Sequence, residues 1–128
     1  MASYKLDKRF YDMIYAEVGG GPEEEVAAVA STFLNRADRH GYEKALTGSS
    51  AYTKKSKEYK KASTAKFTPF EQQVYDRNKG IVDTILTNPN MRLPYTHFEN
   101  VKVYGEPKWA KGQKNYQDIG RQRFYVIK

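Results

Sequence analysis

The sequence contains no cysteine. Disulfides, thiolate nucleophiles and cysteine-held metals are therefore excluded, and the redox compartment is left open. Histidine is almost as scarce. His40 and His97 are the only two, and they lie too far apart for the helical or short-loop spacing of a zinc site. No metal and no cofactor are expected. Long apolar runs are missing too. Met1 to Phe10 carries Lys5, Asp7, Lys8 and Arg9, so neither a signal peptide nor a membrane span is expected.

What is present describes a folded chain. Its 128 residues are enough for one domain, expected over 1–128, with a single modest core. With 39% hydrophobic and 29% charged residues, the composition is that of a globular protein with a wet surface. Eleven tyrosines suit a polar groove as well as a core. A net charge of +7 draws polyanions of several kinds, among them nucleic acid, acidic membrane and anionic cell wall. Charge alone does not choose between them.

Hydrophobic spacing gives the elements. Leu6, Phe10, Met13, Ile14 and Glu17 share one face of a helix that must stop at Gly19-Gly20-Gly21. A second helix is expected from Pro22, with Glu23, Glu24 and Glu25 at its positive end, Val26, Val29, Ala30, Phe33 and Ala37 buried, and Gly41 as its stop. Gly48 to Lys66 is polar and lysine-rich and reads as loop with at most a short helix. Thr68-Pro69-Phe70-Glu71 is a capping box that starts a long helix carrying Val74, Ile81, Val82, Ile85 and Leu86, closed by Asn88-Pro89. Tyr95 to Val103 and Arg121 to Ile127 hold the β-branched and aromatic residues of two paired strands. The expected fold is α+β, predominantly helical, with a small antiparallel sheet near the C-terminus.

Glu17 is the residue that calls for an explanation. A carboxylate that continues an apolar stripe must be paired or held neutral, because an isolated buried charge is costly. Partial burial and the negative end of its own helix both push its pKa upward, as a general acid near neutral pH requires. The plainer alternative is that Glu17, at the helix end, turns into solvent or pairs with a lysine or arginine.

Tyr15-Ala16-Glu17, Gly20, Pro22, Val26 to Ala30 and Asn35-Arg36 together resemble the opening motif of the SleB-type cell-wall hydrolases. Thr96-His97-Phe98, Trp109, Ile119-Gly120 and Phe124-Tyr125 resemble that family's later elements, so the similarity spans most of the chain. Two positions depart from the pattern: Gly21 stands where a glutamate often precedes the proline, and Gln122 where the closing motif has histidine. Glutamine keeps an orienting hydrogen bond but no proton-transfer role. The resemblance implies a lysozyme-like fold and cleavage of the bond between N-acetylmuramic acid and N-acetylglucosamine in peptidoglycan glycan strands. It further implies a lytic transglycosylase mechanism with Glu17 as the catalytic acid and then base.

Such chemistry needs one carboxylate, because the substrate's own 6-hydroxyl attacks. A hydrolase needs a second carboxylate about 5 to 9.5 Å away. Glu99 leads Glu58 and Glu71 for that place because it follows the matched Thr96-His97-Phe98. Expected substrate contacts are Tyr52, Tyr59, Thr96, Phe98, Trp109 and Gln122. The aromatic rings would offer flat faces to sugars, and each has a packing role as its alternative. Thr96 and His97 are expected on opposite faces of an extended segment. Asn35 and Arg36 are expected to cap and pair at a helix end. Lys54, Lys55, Lys57, Lys60, Lys61 and Lys66 read as a solvated face, with a secondary role in holding an anionic wall polymer.

Three rivals remain at this level. Tyrosines interleaved with lysines also suit single-stranded nucleic acid, a reading that leaves Glu17 unexplained. A wall amidase would need a metal or nucleophile that the composition scarcely offers. A wall-binding protein without catalysis would keep its function in Glu17→Gln. The leading expectation is a monomeric enzyme of the cell wall with no specific nucleic-acid partner, either of the kind a bacteriophage delivers as a lysis or virion protein or a fragment of a larger secreted enzyme.

Overall fold

A computed structural model describes residues 4–127. Helix α1 spans Lys8–Val18. Asp7 caps it by accepting the Arg9 N–H, and Gly19 closes it at φ 55, a left-handed conformation that glycine adopts without steric cost. Phe10, Met13 and Ile14 point inward and are fully buried, each contributing about 1.5–3 kcal/mol relative to exposure. Helix α2, Glu23–His40, begins after Pro22 and ends at Gly41, and its stripe Val26, Val29, Ala30, Phe33 and Ala37 is buried as the spacing requires.

The following stretch is more ordered than a loop. Tyr42–Thr47 forms α3, Ser50–Thr53 forms α4 and Lys57–Ser63 forms α5. Ser49 and Ser56 cap the last two by accepting the Tyr52 and Tyr59 N–H groups. Helices of four to seven residues show too few turns for a hydrophobic period, so composition alone reads α4 and α5, within 48–66, as loop with at most a short helix. Helix α6, Pro69–Thr87, opens with the complete Thr68/Glu71 capping box and buries Val82 and Ile85. Val74, Ile81 and Leu86 are only half-buried.

The C-terminal third forms a sheet of three antiparallel strands where two were expected. Strand β1 is His97–Glu99, β2 is Tyr116–Ile119 and β3 is Gln122–Tyr125, in the order β1-β3-β2 with Phe98 opposite Phe124. Val101 to Val103 belongs to a helical turn, α7 (Val101–Tyr104), instead of to the first strand. A 3-10 turn at Lys108–Ala110 carries Trp109. One hydrophobic cluster draws on α1, α2, α3, α5, α6 and β3, and α2 packs against α1, α3, α6 and the sheet. The fold is thus predominantly helical α+β. Among the described residues no helix is long and apolar enough to cross a membrane.

Candidate active site

Glu17 sits in the last turn of α1, where the unpaired carbonyls of the helix end disfavour a negative charge. The glycine turn that follows is held from outside. Asn78 of α6 donates Nδ2–H to the Gly19 carbonyl at 2.9 Å, and Arg77 donates from Nη2 to the Gly21 carbonyl at 2.6 Å. Arg77 also donates to Asn78 Oδ1, so the two side chains brace each other. Two orphan carbonyls beyond a helix terminus are thereby satisfied and the direction of Glu17 is fixed.

The carboxylate itself is held by Ser49. This hydroxyl, 1% exposed, donates to Glu17 Oε2 at 2.5 Å and accepts the Tyr52 N–H at 3.2 Å. Because its lone pairs serve the α4 cap, its single hydrogen is free to go to Glu17. Burial pushes the Glu17 pKa upward, the Ser49 bond pulls it back, and the charge of Glu99 raises it further; the net direction is up. Ser49 was not visible from the sequence as a site residue. Its only signal there is that of a helix cap, and its partner lies 32 positions away.

Two open cavities meet at Glu17. One, about 470 Å3, reaches Arg36, Thr96, His97 and Trp109; the other, about 660 Å3, reaches Tyr15, Glu58, Tyr104, Arg121 and Gln122. Glu17, Ser50, Phe98 and Glu99 line both, so the cavities are two arms of one groove with Glu17 at the junction. Each arm has the size of a small-molecule or sugar site. Among the described residues no three His, Asp or Glu side chains converge as metal ligands would.

The wall opposite α1 is hung from α2. Asn35 donates to the carbonyls of Leu93 and Tyr95, both at 2.8 Å, and Arg36 donates to that of Thr96 at 3.3 Å. These residues do not cap a helix end, as had been expected, because α2 runs on to His40. They fasten the chain that enters β1. Thr96 lies one residue before β1, so strand alternation does not separate it from His97, and both line the same arm. Its hydroxyl accepts the Ile127 N–H at 2.9 Å and meets His97 Nδ1 at 2.8 Å, which ties β1 to the C-terminal chain.

The remaining expected contacts divide. Phe98 reaches both arms, wedged edge-on against Phe33 with ring centres 5.7 Å apart. Trp109 stands 42% exposed over the first arm, its ring 5.0 Å from that of His97 and 5.2 Å from that of Tyr125. Gln122 lines the second. Tyr52 and Tyr59 are not in the groove: they pack edge-on at 5.5 Å, Tyr59 is buried, and Lys55 covers both rings. They form the seam between α4 and α5. Glu71 is likewise removed from the candidate second carboxylates, being held by Lys61 at 2.6 Å and by its own capping box.

Glu25 was also missed as a site-shaping residue. It is 1% exposed, its Oε1 has no hydrogen-bond partner, and burial raises its pKa against the opposing pull of the Arg121 backbone N–H and then of the Arg121 charge. Its carboxyl fills the space left by two glycines. A Cβ on Gly21 would stand 2.5 Å from Oε1, and one on Gly120 2.3 Å. The glycine at position 21 thus makes room for a neighbouring carboxyl, joining the turn after Glu17 to the turn between β2 and β3.

No family model, curated protein or solved structure matches the chain.

Proposed function

We propose that the protein cleaves the glycan strand of peptidoglycan as a lytic transglycosylase, with Glu17 as general acid and then base. The carboxyl proton passes to the leaving oxygen of N-acetylglucosamine as the bond from C1 of N-acetylmuramic acid breaks. The resulting carboxylate then removes the proton of the muramoyl 6-hydroxyl, whose oxygen closes on C1 to give the 1,6-anhydro sugar. No water is consumed, and Glu17 ends protonated.

The observation that carries this reading is Glu17, a half-buried glutamate at the junction of a two-armed groove, kept protonated to higher pH by burial and oriented by Ser49. General acids are tuned in this way. The likeness to the SleB-type motif supports the same reading. A second reading has one observation in its favour: Glu99 lines both arms and its charge acts on Glu17, as the second carboxylate of a hydrolase would. Lys54 lines the second arm, and with the exposed Lys57, Lys60 and Lys66 it suits attraction to an anionic wall, an attraction that salt screens.

Purified peptidoglycan treated with wild type and with Glu17→Gln, followed by mass spectrometry of the released muropeptides, tests the reading. Anhydro ends from wild type alone are expected. Reducing ends would favour the hydrolase, and a folded, fully active Glu17→Gln would remove Glu17 from the chemistry.

A further inference from the structure

Both arms of the groove carry cationic side chains, with Lys54 and Arg121 beside Glu58 in the second. In the first, Arg36 reaches the cavity from α2 and has no carboxylate partner among the described residues. Its one hydrogen bond among the described residues is the long contact from Nη1 to the Thr96 carbonyl, which leaves most of the five guanidinium donors free of them. Gly48 brings no side chain to cover the guanidinium, and even a Cβ there would stand 3.6 Å from Nη2. Arg39 and His40 follow on the same helix, and with Arg36 and burial they hold the pKa of His97 below its ordinary value. The carboxylates Glu17 and Glu99 lie where the arms join. Trp109 offers a partly exposed indole to the same arm as the arginine.

A half-buried, unpaired arginine facing a cavity is a receptor for an anion. Its planar fork matches a carboxylate through two parallel hydrogen bonds. We propose that this arm is a carboxylate-recognising subsite, in which Arg36 pairs with a carboxylate borne by the saccharide that rests against Trp109. The inference rests on the glycan reading above. In peptidoglycan the same chemistry has two sources: the lactyl carboxylate of a muramoyl unit without its peptide, and the terminal carboxylate of a short stem peptide. A short reach within a cavity of about 470 Å3 favours the sugar-borne lactyl group.

Trp109 is the chain's only tryptophan, so its fluorescence reports occupancy without turnover. Glu17→Gln is titrated with an N-acetylglucosamine tetrasaccharide, a peptide-free tetrasaccharide of alternating N-acetylglucosamine and N-acetylmuramic acid, the methyl ester of the latter, and a disaccharide carrying a tetrapeptide. The free muramoyl ligand is expected to bind about tenfold more tightly than the neutral sugar or the ester. Adding Arg36→Gln should erase that preference, while Arg36→Lys should keep part of it. The ester comparison leaves the protein unchanged and so does not depend on any Arg36 variant folding. Selective, Arg36-dependent binding of the peptide-bearing ligand sustains the subsite with the peptide end as its carboxylate. Equal binding of acid, ester and neutral sugar overturns the inference and leaves the glycan reading standing. Saturable binding of none overturns both.

Discussion

Replacing Ser49 by alanine removes one hydroxyl with two separable functions. As the cap of α4 it accepts the Tyr52 N–H, a contact worth about 1 kcal/mol. As a donor to Glu17 it contributes about 1 kcal/mol when the carboxyl is neutral and about 2 kcal/mol when it is ionised. Ser49→Ala is therefore expected to lose about 2 kcal/mol of stability in acid and about 3 kcal/mol once Glu17 is charged. The sign follows from proton linkage. The bond lowers the Glu17 pKa, so its loss lets the folded variant hold the proton to higher pH, and the deficit against wild type grows as pH rises above the ordinary carboxylate range. The alkaline limb of cleavage, where the general acid is lost, moves upward for the same reason. Urea unfolding of both proteins at several pH values reads the first effect, and a carbon-13 titration of the Glu17 carboxyl reads the second without any substrate. Ser49→Thr should restore both. A deficit that does not change with pH, together with an unmoved Glu17 titration, would refute the assignment of the hydroxyl's hydrogen to Glu17.

Glu17→Gln should be more stable than wild type above the ordinary carboxylate range. A raised folded pKa means that wild type loses stability as pH climbs from the unfolded value through the folded one, so melting temperatures should coincide in acid and diverge toward neutrality. Asn78→Ala leaves the Gly19 carbonyl without its side-chain donor, and a loss of about 1–3 kcal/mol in chemical denaturation is expected, with slower cleavage because the glutamate's turn is loosened. Gly120→Ala places a Cβ at φ +60 against the Glu25 carboxyl, and a cost of at least about 1–3 kcal/mol from the backbone alone is expected by calorimetry. Adding Glu25→Ala should return part of that loss, since it removes the obstructing atoms.

The parts of the fold that were legible in the sequence are those with a long period or a strong punctuation mark. The α1 stripe ends at a glycine turn, the α2 stripe runs for five turns between proline and glycine, and α6 announces itself by Thr68-Pro69-Phe70-Glu71. The helices of 42–63 are shorter than the pattern that would reveal them. Strand β2 escaped because Tyr116, Gln117 and Asp118 are all exposed, and an edge strand with little burial has no apolar alternation to read. In the site, Glu17 stood out because a carboxylate is costly on an apolar stripe, whereas Ser49, Glu25 and the free face of Arg36 take their roles from tertiary neighbours. The tyrosine pair misled for a related reason. A flat ring that can face a sugar can equally pack against another ring, and Tyr52 and Tyr59 stack edge-on where α4 meets α5.

Asn35 and Arg36 tie the strand side of the groove to α2, and α2 packs directly on the helix that bears Glu17. Both banks are thus moored to one rigid rod, and the channel has a set bore that an occupant must fit without reshaping it. Size selection then falls to the scaffold itself, and a change in the packing between α1 and α2 would widen or narrow the passage while touching none of the residues that line it.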